Sequence, residues 1–156
     1  MIVTGIDPGL ARLGYGVIRV DKGMLTPLSF GCIRTKADRR PAERLLGIHT
    51  EITALFERYP PDCLAMEKLF FTKNITSAMS VSEVRGVLLL AAEQHRIPVE
   101  EYTPNQIKQA ITGSGRADKR QMQDMIRRLL HLDAVPQPDD AADGLSIALC
   151  HIHIMR

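Results

Sequence analysis

Ile2-Val3-Thr4-Gly5-Ile6-Asp7-Pro8-Gly9 opens the chain with an apolar, β-branched run that stops on an acid and a turn. Such a run reads as a buried strand, and Asp-Pro-Gly as its end. Leu13 to Val20 resumes as a second strand, Asp21-Lys22-Gly23 supplies a hairpin turn, and Met24 to Thr35 runs back as a third. The first 35 residues therefore predict an antiparallel meander.

Beyond the meander the period changes. Leu45, Ile48, Ile52, Leu55, Phe56 and Tyr59 recur at helical spacing from Pro41 onward, and Pro60-Pro61 closes that element. Cys63 to Met66 is a short apolar strand ending on Glu67, followed by a long helix from about Ser77 to His95 and a strand from Pro98 to Tyr102. Thr103-Pro104-Asn105-Gln106 is a capping box that starts a short helix to about Ile111, and Thr112 to Arg116, with two glycines, predicts a mobile loop. Met122, Met125, Ile126 and Leu129 mark another amphipathic helix, and Asp139 to about His151 a last one. Alternating strands and helices after a meander give an α/β class with a mixed five-stranded sheet, three strands antiparallel and then two parallel, flanked by helices.

At 156 residues, 45% apolar and 24% charged, residues 1–156 are expected to form one domain around one substantial core. Met1 to Ile6 is too short for a signal peptide, and no run approaches the ~20 apolar residues of a membrane span, so the expectation is a cytoplasmic protein with no membrane partner. Cys32, Cys63 and Cys150 have no metal-ligand spacing and read as reduced core thiols. The net charge of +2 is unevenly spread. Lys108, Arg116, Lys119, Arg120, Arg127 and Arg128 face two acids in residues 104–128, and Arg34, Lys36, Arg39, Arg40 and Arg44 face two in residues 34–44. Charge runs are ordinarily solvated surface, but two basic blocks on a small chain also permit a polyanionic partner.

An acid at the end of a buried strand is costly unless something pairs with it. Asp7 could simply cap its turn, but Glu67 has the same setting without that explanation. A right-handed crossover lays the fourth strand parallel beside the first, which puts Asp7 and Glu67 side by side at carboxyl ends, where open α/β sheets bind ligands. Asp140-Ala141-Ala142-Asp143 adds two acids at i and i+3, on one helical face with small residues between, although acids in a first turn also suit the helix dipole. Asp139 reads as the N-cap of that helix, and Asp140, which has Asp143 as its i+3 partner, as the ligand of the two neighbours. Four acids without His or Cys form the hard oxygen set that suits Mg²⁺ or Mn²⁺, two of which can activate water and stabilise a leaving oxygen at a phosphodiester. Setting these four of the 18 acids aside leaves 14 against 20 bases, a basic surface around an acidic centre.

Gly5-Ile6-Asp7-Pro8-Gly9, Gly14-Tyr15-Gly16-Val17-Ile18, Gly31-Cys32-Ile33-Arg34-Thr35, Ala65-Met66-Glu67-Lys68-Leu69-Phe70 and Asp140-Ala141-Ala142-Asp143, in this order and spacing, resemble the RuvC family of bacterial Holliday-junction resolvases. The resemblance spans nearly the whole chain. It implies an RNase H-like fold, a homodimer, and a Mg²⁺-dependent endonuclease, with two ions per active site and Mn²⁺ as a substitute, that nicks two strands of like polarity at a four-way DNA junction in recombination and repair. Asp7, Glu67, Asp140 and Asp143 would be its catalytic acids and metal ligands, Lys108 and Lys119 contacts to the DNA backbone, and Phe70 an aromatic near the crossover. A branch-migration helicase complex is a further partner implied by the resemblance. The dimer is expected to rest on the helix from about Ser77 to His95, where Leu89, Leu90 and Ala92 widen the apolar surface and Gly86 would admit a second backbone.

Three other readings remain at this point. A sugar-kinase or actin-like ATPase shares the first strand and hairpin, but that fold closes two such domains over a nucleotide. A non-catalytic nucleic-acid-binding module would lack a reason to keep four acids. A nuclease of the same fold acting on another branched or RNA-containing substrate is separated from a junction resolvase by the regions of Phe70, Lys108 and Lys119 alone.

Overall fold

A computed structural model describes residues 1–69 and 75–155. Strands β1 (Ile2–Asp7), β2 (Arg12–Asp21) and β3 (Met24–Arg34) form the meander, then α1 (Pro41–Arg58), β4 (Cys63–Glu67), α2 (Ile75–Gln94), β5 (Val99–Tyr102), α3 (Pro104–Thr112), α4 (Lys119–Leu129) and α5 (Asp139–Ile154) follow. The sheet order is β3-β2-β1-β4-β5, with β1 antiparallel to β2 and parallel to β4, so the mixed five-stranded α/β sheet is as expected. The hairpin turns at Lys22 and Gly23, both at positive φ, the backbone that a two-residue loop between twisted strands requires. A register shift at Val17/Ile18 lies opposite Pro27, which a β-bulge on an edge strand tolerates.

Side chains alternate across the sheet and give it two cores. Ile6, Leu13, Ile33, Leu64 and Met66 face α1 and α2 with Ile48, Ile52, Phe56, Val84 and Leu88. Val3, Ile18, Ala65 and Tyr102 face α3, α4 and α5 with Ile107, Ile126, Leu145 and Leu149. Asp7 follows Val3 and Gly5 by steps of two, and Glu67 follows Cys63 and Ala65, so both acids belong to the α5 face.

Helix α5 is buried over most of its length. It reaches the sheet through glycines: a Cβ on Gly5 would collide with the Gly144 carbonyl, one on Gly14 with the Asp140 carbonyl, and one on Gly144 with the Tyr15 main chain. The alanines Ala141 and Ala142 are buried too, but the closest approach is made by these glycines.

Three expectations are corrected. The N-cap of α5 is Pro138, not Asp139, whose carboxylate instead accepts from Lys119 Nζ at 2.9 Å and Gln123 Nε2 at 3.2 Å. A charge-assisted bond from a neighbouring helix outcompetes the local backbone donors. The glycine loop after α3 is pinned by its own hydrogen bonds, Thr112 Oγ1 with Ser114 and Ser114 Oγ with the Arg116 amide, after Gly113 closes α3 in the left-handed conformation. Leu89 packs against the α1/α2 core, so the exposed apolar positions of α2 are Ile75, Met79 and Leu90. By length and composition α2 could cross a bilayer; its residues Val84, Leu88, Ala91 and Ala92 are buried against the sheet side.

Candidate active site and nucleic-acid face

Ile6 of β1 and Met66 of β4 are in register, so the next residues, Asp7 and Glu67, leave the sheet side by side at its carboxyl end. The glycine contact lowers the first turns of α5 onto β1 and β2 and brings Asp140 and Asp143 to the same place. Burial, and then the charges of Glu67, Asp143 and Asp140, push the Asp7 carboxyl up to about 7. Glu67 is raised by burial and by Asp143, against the pull of Lys108. Asp143 is raised by burial and by Asp140 and Asp139, against Lys119. All four sequence-selected acids thus converge from three elements, and three of them are partly desolvated and mutually repelling.

Basic side chains ring this cluster. Lys108 of α3 and Lys119 of α4 line a cleft of about 360 Å³ together with Glu67 and Asp143. A second cleft of about 280 Å³, bounded by Asp7, Pro8, Ser77, Ala78 and Val81, meets the first at Glu67 and Pro104. Sequence patterning missed Arg12, whose Nη2 donates to Asp140 Oδ2 at 2.6 Å. No periodicity marks an exposed arginine at the start of a strand; the available signal was the Gly14-Tyr15-Gly16 pattern, which flags a backbone lying close to β2. Phe70, and Phe71 beside it, lie outside the described residues.

The donor set is oxygen only, and burial makes the carboxylates' mutual repulsion expensive without a cation, which fits a divalent metal of the Mg²⁺ class. Among the described residues no three His, Cys, Asp or Glu side chains are gathered closely enough to enclose an ion as they stand. Asp140 is paired with Arg12 and Asp139 with Lys119.

Comparison with known proteins agrees with this geometry. Residues 3–151 match the family model described as crossover junction endodeoxyribonuclease RuvC. The protein of that name from Desulfitobacterium hafniense is 51% identical over 153 residues, covering 98% of this chain and 93% of the relative. The Thermus thermophilus RuvC structure superposes with a TM-score of 0.93 at 36% identity, covering 100% of this chain and 96% of that one. The same relative in complex with Holliday junction substrate gives a TM-score of 0.95 at 36% identity, covering 100% of this chain and 95% of that one. With its acids at the shared carboxyl end of β1 and β4, its glycine-seated last helix and a match over nearly all its length, the chain belongs to the RuvC family of crossover junction endodeoxyribonucleases.

Proposed function

We propose that the chain resolves four-way (Holliday) DNA junctions by paired hydrolysis of phosphodiester bonds, with Asp7, Glu67, Asp140 and Asp143 as its catalytic acids and metal ligands. The observation that carries this reading is the convergence of four carboxylates from β1, β4 and α5 inside a rim of Lys108, Lys119 and Arg12. When bound, two Mg²⁺ ions, or Mn²⁺ in their place, supply an activated water and charge stabilisation at the leaving oxygen. The carboxylates hold and orient; fixed on strand ends and on a seated helix, they lose little order on ligation. Lys108 and Lys119 bind the phosphates beside the scissile bond and offset developing charge. Phe70, which lies outside the described residues, is assigned in this reading to stacking on a base at the opened crossover.

Paired cutting needs two sites related by a two-fold axis, so the active species in this reading is a homodimer. Ile75, Met79 and Leu90, 70%, 59% and 55% exposed, recur along one side of α2 with Gly86 between, and a Cβ on Gly86 would meet nothing within 4 Å. Among the described residues nothing covers that side, and it is apolar enough to receive a second copy.

The test is cleavage of synthetic four-way junction, fork and duplex DNA with Mg²⁺, Mn²⁺ or no metal. Junctions are expected to be cut symmetrically and in preference. Asp7→Asn, Glu67→Gln, Asp140→Asn and Asp143→Asn should each abolish cutting while junction binding persists, since removing negative charge does not weaken contact with a polyanion. Equal cutting of duplex and junction, or normal cutting by Asp140→Asn with loss in Asp139→Asn, would overturn the substrate or the ligand assignment respectively.

A further inference from the structure

The catalytic reading leaves the second basic block, residues 34–44, without a task. Arg34, Lys36, Arg39 and Arg44 border a groove of about 240 Å³ between the end of β3 and the start of α1. None of the four is in an ion pair among the described residues. Of the nearby acids, Glu43 is held by Arg40 at 3.0 Å, which leaves Asp38 as the remaining negative charge on the loop.

The groove is tied to the proposed active site. Arg34 is the register partner of Arg12, so two guanidinium-bearing residues sit directly opposite on neighbouring strands, an unfavourable pairing unless each has an anion. Arg12 has Asp140. Arg34 has none among the described residues. Thr35 joins the two regions: its hydroxyl donates to the Leu10 carbonyl at 2.5 Å and accepts from Arg44 Nε at 2.8 Å, and its amide donates to the Ala11 carbonyl at 3.1 Å. Arg44 is thereby oriented by the same turn that follows Asp7.

From these placements we propose that the 34–44 groove is a second DNA site, which grips the phosphodiester backbone of a junction arm as it leaves the active site. The proposal rests on the junction-resolving function. Two strand spacings separate β1 from β3, about 10 Å, and two further residues along the strand add about 7 Å. The resulting diagonal of roughly 12 Å, from Asp7 to Arg34 at the near edge of the groove, corresponds to three or four phosphates at about 3.4 Å of axial rise each, and Lys36 and Arg39 lie beyond it on the α1 side. The groove therefore meets the arm no nearer than three to four nucleotides from the cut, fixing its direction without reading sequence.

The test compares the full chain with Lys36→Gln/Arg39→Gln, both exposed, and with Arg19→Gln at the opposite end of β2 as a charge control. Junction binding is measured by anisotropy over a salt series, on ordinary DNA and on DNA with neutral methylphosphonates at the third to sixth linkages from the cut. Loss of two phosphate contacts should flatten the log K against log salt slope by nearly two, at about 0.9 per contact. Arg19→Gln should leave the slope unchanged. Methylphosphonates should weaken the wild-type chain and have little further effect on the double variant. A double variant with the slope of the wild type, or equal methylphosphonate sensitivity in both proteins, would overturn the groove. A wild-type chain that binds duplex and junction alike would instead overturn the proposed substrate, and the slope comparison on either DNA would still decide the groove.

Discussion

Asp7 carries the clearest conflict between stability and chemistry. Its carboxyl is raised from 3.8 to about 7 by burial and by three neighbouring acids. An acid that holds its proton more tightly when folded destabilises the fold progressively as pH rises from about 4 to about 7, and fully above that. At about 1.4 kcal/mol per tenfold change the penalty is at most ~4 kcal/mol. Metal-free Asp7→Asn should therefore melt several degrees above wild type at pH 8, with the gap closing at pH 4; calorimetry of both proteins in chelator at the two pH values checks this. An Asn variant that melts lower at pH 8 would mean that Asp7 is already compensated. Convergence of the acids was legible because unpaired carboxylates at the ends of apolar strands are conspicuous. The Arg12–Asp140 pair was not: its partners are 128 positions apart, and an exposed charge has no period to betray its partner.

Among the elements, α5 depends most on what it lacks. Its contact with β1 and β2 is made through Gly5, Gly14, Gly16 and Gly144, and a Cβ on Gly144 would strike the Tyr15 backbone, which cannot rotate aside. Overpacking costs ~1–3 kcal/mol or more, against a gain of ~1 kcal/mol in helix propensity. Gly144→Ala should lose ~1–2 kcal/mol net, a fall of about 2–8 °C in Tm at this chain length. Gly47→Ala on α1, where a Cβ meets nothing within 4 Å, should be neutral or stabilising. Thermal melts of the pair separate steric clash from propensity. The sequence displayed these glycines plainly, but their use is tertiary: nothing local states that Gly14 faces a helix more than 120 residues away. The same holds for Asp139, whose local pattern says cap while Lys119, supplied by α4, says otherwise.

Across the whole molecule, sheet order was readable in advance because a two-residue turn and the handedness of a crossover leave few alternatives. Assembly was less so, since an apolar helix such as α2 looks alike whether its second side meets a core or a partner. The exposed Leu90, unlike the core-packed Leu89, gives a clean test: Leu90→Glu should convert a sedimenting dimer to monomer with little change in Tm, and paired cuts to single nicks. A native chain that sediments as a monomer at micromolar concentration yet resolves junctions would dismiss the dimer. The glycine seam has a bearing on how such a protein changes over time. Because main chain rests on main chain, with no rotatable group between, the distance from β1 to α5 is set by atomic radii and is stiff to compression and heat. Substitutions in the two side-chain cores can then drift, shifting melting temperature freely, while the spacing of Asp7 and Asp143 stays as it was.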